Sequence, residues 1–256
     1  MKKAFTLAEV LITLGIIGVI AAVIIPTLIA NYQKKVLETQ YKVAVTTLSQ
    51  AFGEWAENDD MLRYNNNQWT NIPDRAYSAT RAIVNKELMN KYFKGELTWN
   101  GINTSKKPNT YTKYNSKSDT TNIVAYYVYT LANGIDILFP LLLTVYANDN
   151  KLTSYTYMLF PIYVDINGMD KKPNKIGFDM FSFALTNNGK LIPQGSAQYA
   201  LFMNKSAQTN EEALSSTYYW RNASKTSVNG CRRTNYTGPG WGCGARIIEN
   251  GGKIDY

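Results

Sequence analysis

An α+β protein is what the sequence predicts: a long N-terminal helix, apolar and protruding in its first half and amphipathic in its second, packed on an antiparallel sheet. Three observations carry this expectation. Phe5 to Ala30 is a predominantly apolar run of 26 residues. From Asn31 to about Asn58 apolar residues recur at helical spacing on one face. From Ile123 onward, short runs rich in Tyr, Val, Ile and Phe alternate with Asn- and Gly-rich turns, the pattern of strands joined by hairpins.

At about 1.5 Å per residue the first run makes a helix of roughly 39 Å, longer than the ~30 Å hydrocarbon core of a bilayer, and so able to span one. Glu9 is its only charge. A carboxylate at the centre of such a helix costs on the order of 2.5–3.5 kcal/mol, which makes it a functional residue in need of a partner. A secretory signal peptide shares the basic start of Lys2 and Lys3, but its apolar stretch is only ~7–15 residues. A plain anchor accounts for the length and not for the acid.

The residues Lys2-Lys3-Ala4 followed by FTLAEVLITLGIIGVIAAVIIPTLI resemble the leader, cleavage site and N-terminal helix of type IV pilins and type II secretion pseudopilins. Phe5, Glu9 four residues on, Gly15, Gly18 and Pro26 carry the match, while Ala4 stands where the family usually has Gly. The resemblance implies that a prepilin peptidase removes residues 1–4 by cutting between Ala4 and Phe5, and that Phe5 is then N-methylated. It also implies an order of domains: 5–30 as transmembrane and assembly helix, 31–58 as the amphipathic half, and 59–256 as a pilin-like head outside the cytoplasm. The implied function is that of a structural subunit. Held first in the lipid of the cytoplasmic membrane by a single pass, it passes through an inner-membrane assembly machinery into a homo- or hetero-polymer of pilins or pseudopilins, the shaft of a type IV pilus (a fimbrium) or of a type II secretion pseudopilus. The other function it implies is a minor tip pilin, a binding module such as an adhesin or DNA-uptake subunit whose basic, Tyr-rich head contacts a surface, a secreted substrate or nucleic acid.

In such a filament Glu9 of one subunit pairs with the ammonium of Phe5 on its neighbour and sets the axial stagger, as one buried polar residue sets register in a coiled coil. The alternative is that Glu9 snorkels to the headgroups near the helix start. Pro26 lacks a backbone donor and is expected to kink or loosen the helix. Gly15 and Gly18 allow close helix approach.

The chain of 256 residues carries a net charge of +8, and loss of Lys2 and Lys3 brings it to +6, a surplus that permits weak binding to anionic polymers. In the amphipathic half, Leu37, Tyr41, Val45, Leu48, Phe52 and Trp55 share a face that the head must cover. Asn58 to Asn122 is polar and asparagine-rich, with a short helix expected around Tyr77 to Tyr92 and a loop from Asn100 to Asn122. Strands follow at Ile123 to Leu131 and Ile135 to Phe139 about an Asn133-Gly134 turn, at Leu152 to Val164 after an Asn148-Asp149-Asn150 turn, and at Met180 to Leu185 with Lys190 to Ile192 about Asn187-Asn188-Gly189. A final edge strand is expected at Ala245 to Ile248.

Within Asp165 to Asp179 two readings compete. Asp165, Asn167, Asp170 and Asp179 offer the oxygen ligands that calcium prefers, and some pseudopilins carry calcium in a comparable C-terminal loop. The same residue types build tight turns. The spacing is not that of an EF-hand, since Gly168 falls two positions early and no Glu closes the loop.

Cys231 and Cys243 are the two cysteines, and with no CxxC and no His in the chain they do not suggest a closed zinc site. They read as a disulfide, which needs an oxidising compartment, or else as two unpaired thiols. Without His, GxSxG or a phosphate loop, no catalytic constellation is visible and the chain is not expected to be an enzyme. Asp59-Asp60 and Glu211-Glu212 read as solvated loop residues.

Overall fold

The long helix α1 runs without interruption over Leu7–Asn58. Along its first half, from Leu7 to Ile29, every large apolar side chain is exposed, Leu7 at 79% and Ile29 at 50%. Its second half is built differently. Tyr41, Ala44, Leu48, Phe52 and Trp55, spaced by three and four, are buried, with Leu37 and Val45 packed at the margin. Burying each of the large ones is worth on the order of 1.5–3 kcal/mol, so this face holds helix and head together. The computed structural model describes residues 6–58, 63–65, 68–70, 90–93, 95–100, 110–123, 126–140, 146–147, 157–186, 188–204, 206–232 and 234–256.

The remaining elements are, in order, β1 (Arg63–Asn65), β2 (Gln68–Thr70), β3 (Gly95–Asn100), β4 (Thr110–Thr112), β5 (Thr120–Asn122), β6 (Tyr126–Leu131), β7 (Asp136–Pro140), β8 (Tyr146–Ala147), β9 (Tyr157–Asp165), β10 (Met180–Thr186), β11 (Leu191–Pro193), α2 (Ala197–Met203), α3 (Asn210–Ser215) and α4 (Cys243–Glu249). The main sheet has the order β11-β10-β9-β7-β6-β3, all antiparallel. One edge of β9 is taken by β10 along most of its length, so β7 and β8 share the other, β8 at Tyr157 and Met158 and β7 from Tyr163 to Asp165. The expected α+β arrangement, one long helix on an antiparallel sheet, is the one observed.

Strand alternation sends Ile137 and Phe139, Ile162 and Val164, and Phe181, Phe183 and Leu185 to the face under α1. The opposite face is also covered. Val128, Leu138 and Met180 meet Tyr111, Ile123, Met169 and Ile176 in a second core, and Ala184 meets Ile192 and Phe202 in a third. Burial on both faces explains why every residue of β10 is buried.

Both expected hairpins form. Leu131 N–H donates to Ile135 O at 2.8 Å around Gly134 at φ +86, and Thr186 N–H to Lys190 O at 3.0 Å around Gly189 at φ +77. Two expectations are corrected. Within the stretch read as loop from Asn100 to Asn122, β4 and β5 pair as a hairpin, closed by an ion pair between Lys113 and Asp119 at 2.8 Å and anchored by the fully buried Tyr111. The stretch read as a strand at Ala245 to Ile248 is α4, whose Cys243, Gly244, Ala245 and Ile247 are buried at helical spacing and whose Gly244 O accepts from Tyr41 Oη at 2.9 Å. Glu211 and Glu212 lie in the first turn of α3, where Thr209 and Glu212 form a reciprocal cap. Of the helix expected at Tyr77 to Tyr92, Asn90 to Tyr92 are helical and the rest lies outside the described residues, as do the Asn148 to Asn150 turn and the first part of the strand expected at Leu152 to Val164.

Candidate functional site

The start of α1 is organised by Thr6 and Glu9. Glu9 Oε2 accepts from Thr6 N–H and from Thr6 Oγ1, each at 2.8 Å, and Glu9 N–H donates back to Thr6 Oγ1 at 3.2 Å. This is a capping box, which satisfies helix-end donors that would otherwise be orphaned in an apolar medium. The signal for it was present as Thr6-x-x-Glu9 and was not drawn out by reading Glu9 only as an acid awaiting a partner. Ala4 and Phe5, the residues of the expected cut, lie outside the described residues.

Beyond the cap, the polar groups of this half are answered within the helix. Thr13 Oγ1 donates to Glu9 O and Val10 O, each at 2.9 Å, and Thr27 Oγ1 to Ile24 O at 2.8 Å. The helix continues through Pro26, which withholds a donor from Ala22 O without ending the helix. A Cβ placed at Gly15 or Gly18 would meet nothing within 4 Å. Glycine in a helix interior costs roughly 0.5–1 kcal/mol against alanine, and no packing among the described residues offsets that cost. Among the described residues α1 is the one helix long and apolar enough to cross a membrane, with none of its most apolar window buried in the chain.

The acidic turn joins β9 to β10. Asp165 Oδ1 accepts from the N–H groups of Asn167 and Gly168, and its Oδ2 from Tyr111 Oη at 2.9 Å. Asp179 Oδ2 and Oδ1 accept from Asn174 N–H and Lys175 N–H, each at 2.6 Å, and the nearby Asp136 accepts Met169 N–H at 2.9 Å. Asp136 sits at the start of β7, where sequence reading singled out no acid. Burial raises the Asp179 carboxyl to about 6. Burial, with the Asp179 charge beside it, holds Asp165 well above the usual carboxylate range.

Of the four oxygen ligands considered for calcium, the structure brings Asp165 and Asp179 together, leaves Asp170 exposed, and turns Asn167 Nδ2 to Lys172 O at 3.1 Å. The buried Oδ1 atoms of Asn167 and Asn174 have no hydrogen-bond partner. All four oxygens of the two brought-together carboxylates are taken by N–H or O–H donors, and no three acidic, His or Cys side chains among the described residues are placed to hold a metal ion. The structure does not bring the four together as one set; as arranged, Asp165 and Asp179 pin the backbone of a turn.

Cys231 and Cys243 form a disulfide, with Cα atoms 4.9 Å apart. Around it pack Tyr114, Trp220, Tyr236 and Ala245. Arg246 grips Asp255 through two hydrogen bonds of 2.7 and 2.9 Å and donates to Cys231 O at 2.9 Å, while Ile254 N–H donates to Glu38 Oε1 on α1 at 2.8 Å. The C-terminal residues are thereby fastened both to the disulfide and to the helix. Comparison with protein-family models, with curated proteins and with solved structures returned no match.

Proposed function

We propose that the chain is a prepilin-like structural subunit, cut between Ala4 and Phe5 and polymerised through its N-terminal helix into a type IV pilus or a type II secretion pseudopilus. The observation that carries this reading is an apolar helix half, exposed along its length, whose single charge is Glu9 at its very start. Such a half needs an apolar surround, first lipid and then the same halves of neighbouring subunits. In either surround an ion pair is far less costly than a lone carboxylate. Glu9 Oε2 takes both bonds from Thr6, which leaves Oε1 to a group beyond the described residues. The ammonium of Phe5 on an adjacent subunit is such a group. Gly15 and Gly18, with open space where a side chain would stand, give neighbouring helices room to approach. The disulfide supports a head outside the cytoplasm, where oxidising conditions prevail.

The test is Glu9→Ala in cells carrying the assembly machinery, with sheared filaments and membranes assayed separately. Removing one partner of a buried pair costs about 3–5 kcal/mol, so incorporation should fall by a factor of 10² or more while the membrane fraction is unchanged. Filaments of normal yield would sink the proposal, as would an intact mass that still includes residues 1–4.

A further inference from the structure

Where the apolar run of α1 gives way to its amphipathic half, helix and head enclose a groove of about 680 Å³. One wall begins at Ala30 and climbs the helix past Lys34 to Gln40; the other is the turn that carries Lys171, Lys172, Lys175 and Phe178. Four lysines line it and, among the described residues, no carboxylate does. None of the four takes part in the ion pairs found among the described residues. Lys175 Nζ lies 4.9 Å above the Phe178 ring, and burial lowers its affinity for a proton.

The height of the groove decides what it meets. Lys34 lies four residues past the end of the apolar run, about 6 Å along the axis. Headgroups occupy roughly the 5–8 Å outside the hydrocarbon on each side of a bilayer, so with the end of the run at the hydrocarbon edge Lys34, and the groove it lines, stand in the phosphate layer. The exposed Tyr32 falls in the same zone, where aromatic side chains anchor.

We infer that this groove binds the headgroup of an anionic phospholipid from the membrane that α1 enters, its phosphate set among Lys34, Lys171, Lys172 and Lys175 and its glycerol against the apolar floor. The lipid would fix the angle between head and membrane before assembly. This rests on membrane insertion of α1 and not on polymerisation.

The full chain, solubilised in detergent, is offered phosphatidylglycerol and phosphatidylcholine in equal amount, and the lipid retained is counted by native mass spectrometry. Phosphatidylglycerol should be retained in preference. Lys34→Gln with Lys171→Gln and Lys172→Gln should reduce retention about fivefold per lysine. The milder pair Lys171→Gln and Lys172→Gln, both at exposed positions, should show the two-lysine part of that loss with an unchanged circular dichroism spectrum. Lys117→Gln with Lys190→Gln and Lys225→Gln, equal in charge but away from the groove, should change nothing. Equal retention of the two lipids, equal losses in the groove and control variants, or competition by glycerol phosphate at the lipid's own concentration would overturn the inference. Incorporation into neutral phosphatidylcholine nanodiscs separates the two readings: a chain that enters them but shows no lipid preference refutes the groove alone, and one that stays out refutes membrane insertion and the groove with it.

Discussion

Gly189→Ala probes the contact that joins helix to head. Gly189 lies in the turn between β10 and β11 at φ +77, and a Cβ there would stand 2.2 Å from the Phe52 carbonyl oxygen and 2.9 Å from Ala56 Cβ. The first of these is more than roughly 1 Å short of ordinary contact, and the atom in the way is helix backbone, which cannot rotate aside. Left-handed backbone costs alanine about 1–2 kcal/mol, and forcing apart a packed interface typically adds 1–3 kcal/mol. A loss of roughly 2–5 kcal/mol is expected. Phe52 is fully buried and meets Trp55 and Phe93 at ring separations of 5.9 and 5.1 Å, so lifting the turn also disturbs an aromatic cluster. The measurement is urea unfolding of the full chain in detergent by tryptophan fluorescence, with hydrogen exchange followed across residues 180–193. An unfolding free energy within about 0.5 kcal/mol of the parent and unaltered exchange in the hairpin would refute this account of how the head seats on the helix.

Two further predictions address the rest of the head. Replacing Cys231 and Cys243 by Ser opens a loop whose ends are 12 residues apart, which in the chain-entropy view removes about 3 kcal/mol; the loss should appear as a lower urea midpoint and as faster exchange around α4, whereas an unchanged midpoint would show the tail to be held without the disulfide, by contacts such as Arg246 with Asp255 and Ile254 with Glu38. The buried acids set a pH dependence of definite sign. With Asp179 raised to about 6 and Asp165 also raised, the folded chain binds more protons than the unfolded one, so their contribution is full below the unfolded carboxylate range near pH 4 and is lost as pH rises through 6. Asp165→Asn keeps an acceptor for Asn167 and Gly168 and removes the charge beside Asp179; in buffer with EDTA it should flatten the fall in stability between pH 4 and 6, and an equally steep fall in parent and variant would contradict the assignment.

How far the sequence could be read depended on whether the information was local. The buried stripe of α1 was legible because Tyr41, Leu48, Phe52 and Trp55 recur at three and four, and no other element is needed to see it. The Asn133-Gly134 and Asn187-Asn188-Gly189 turns were legible because glycine itself tolerates the positive φ that Gly134 and Gly189 adopt. Three-residue strands such as β4 and β5 carry too few side chains to display a period. What stabilises them is Tyr111 reaching Asp165, a contact across 54 positions. The stretch Ala245 to Ile248 is equally short, and three apolar residues around Arg246 do not distinguish strand from helix; the disulfide and Tyr41 decide it.

The same limit applies to the sites. The acid at Glu9 was visible because it interrupts an apolar run, and its capping partner lies three residues away. The basic groove was not visible, because Lys34 and Lys171 come together only when the turn between β9 and β10 returns to the base of the amphipathic half. That return is enforced by Asp165 and Asp179, whose oxygens hold the backbone of the turn, and by Ile254, tied to Glu38. Acids that resemble metal ligands in sequence therefore act through backbone geometry: they shape the segment that carries three of the four lysines, and they place it against the helix where the apolar run ends.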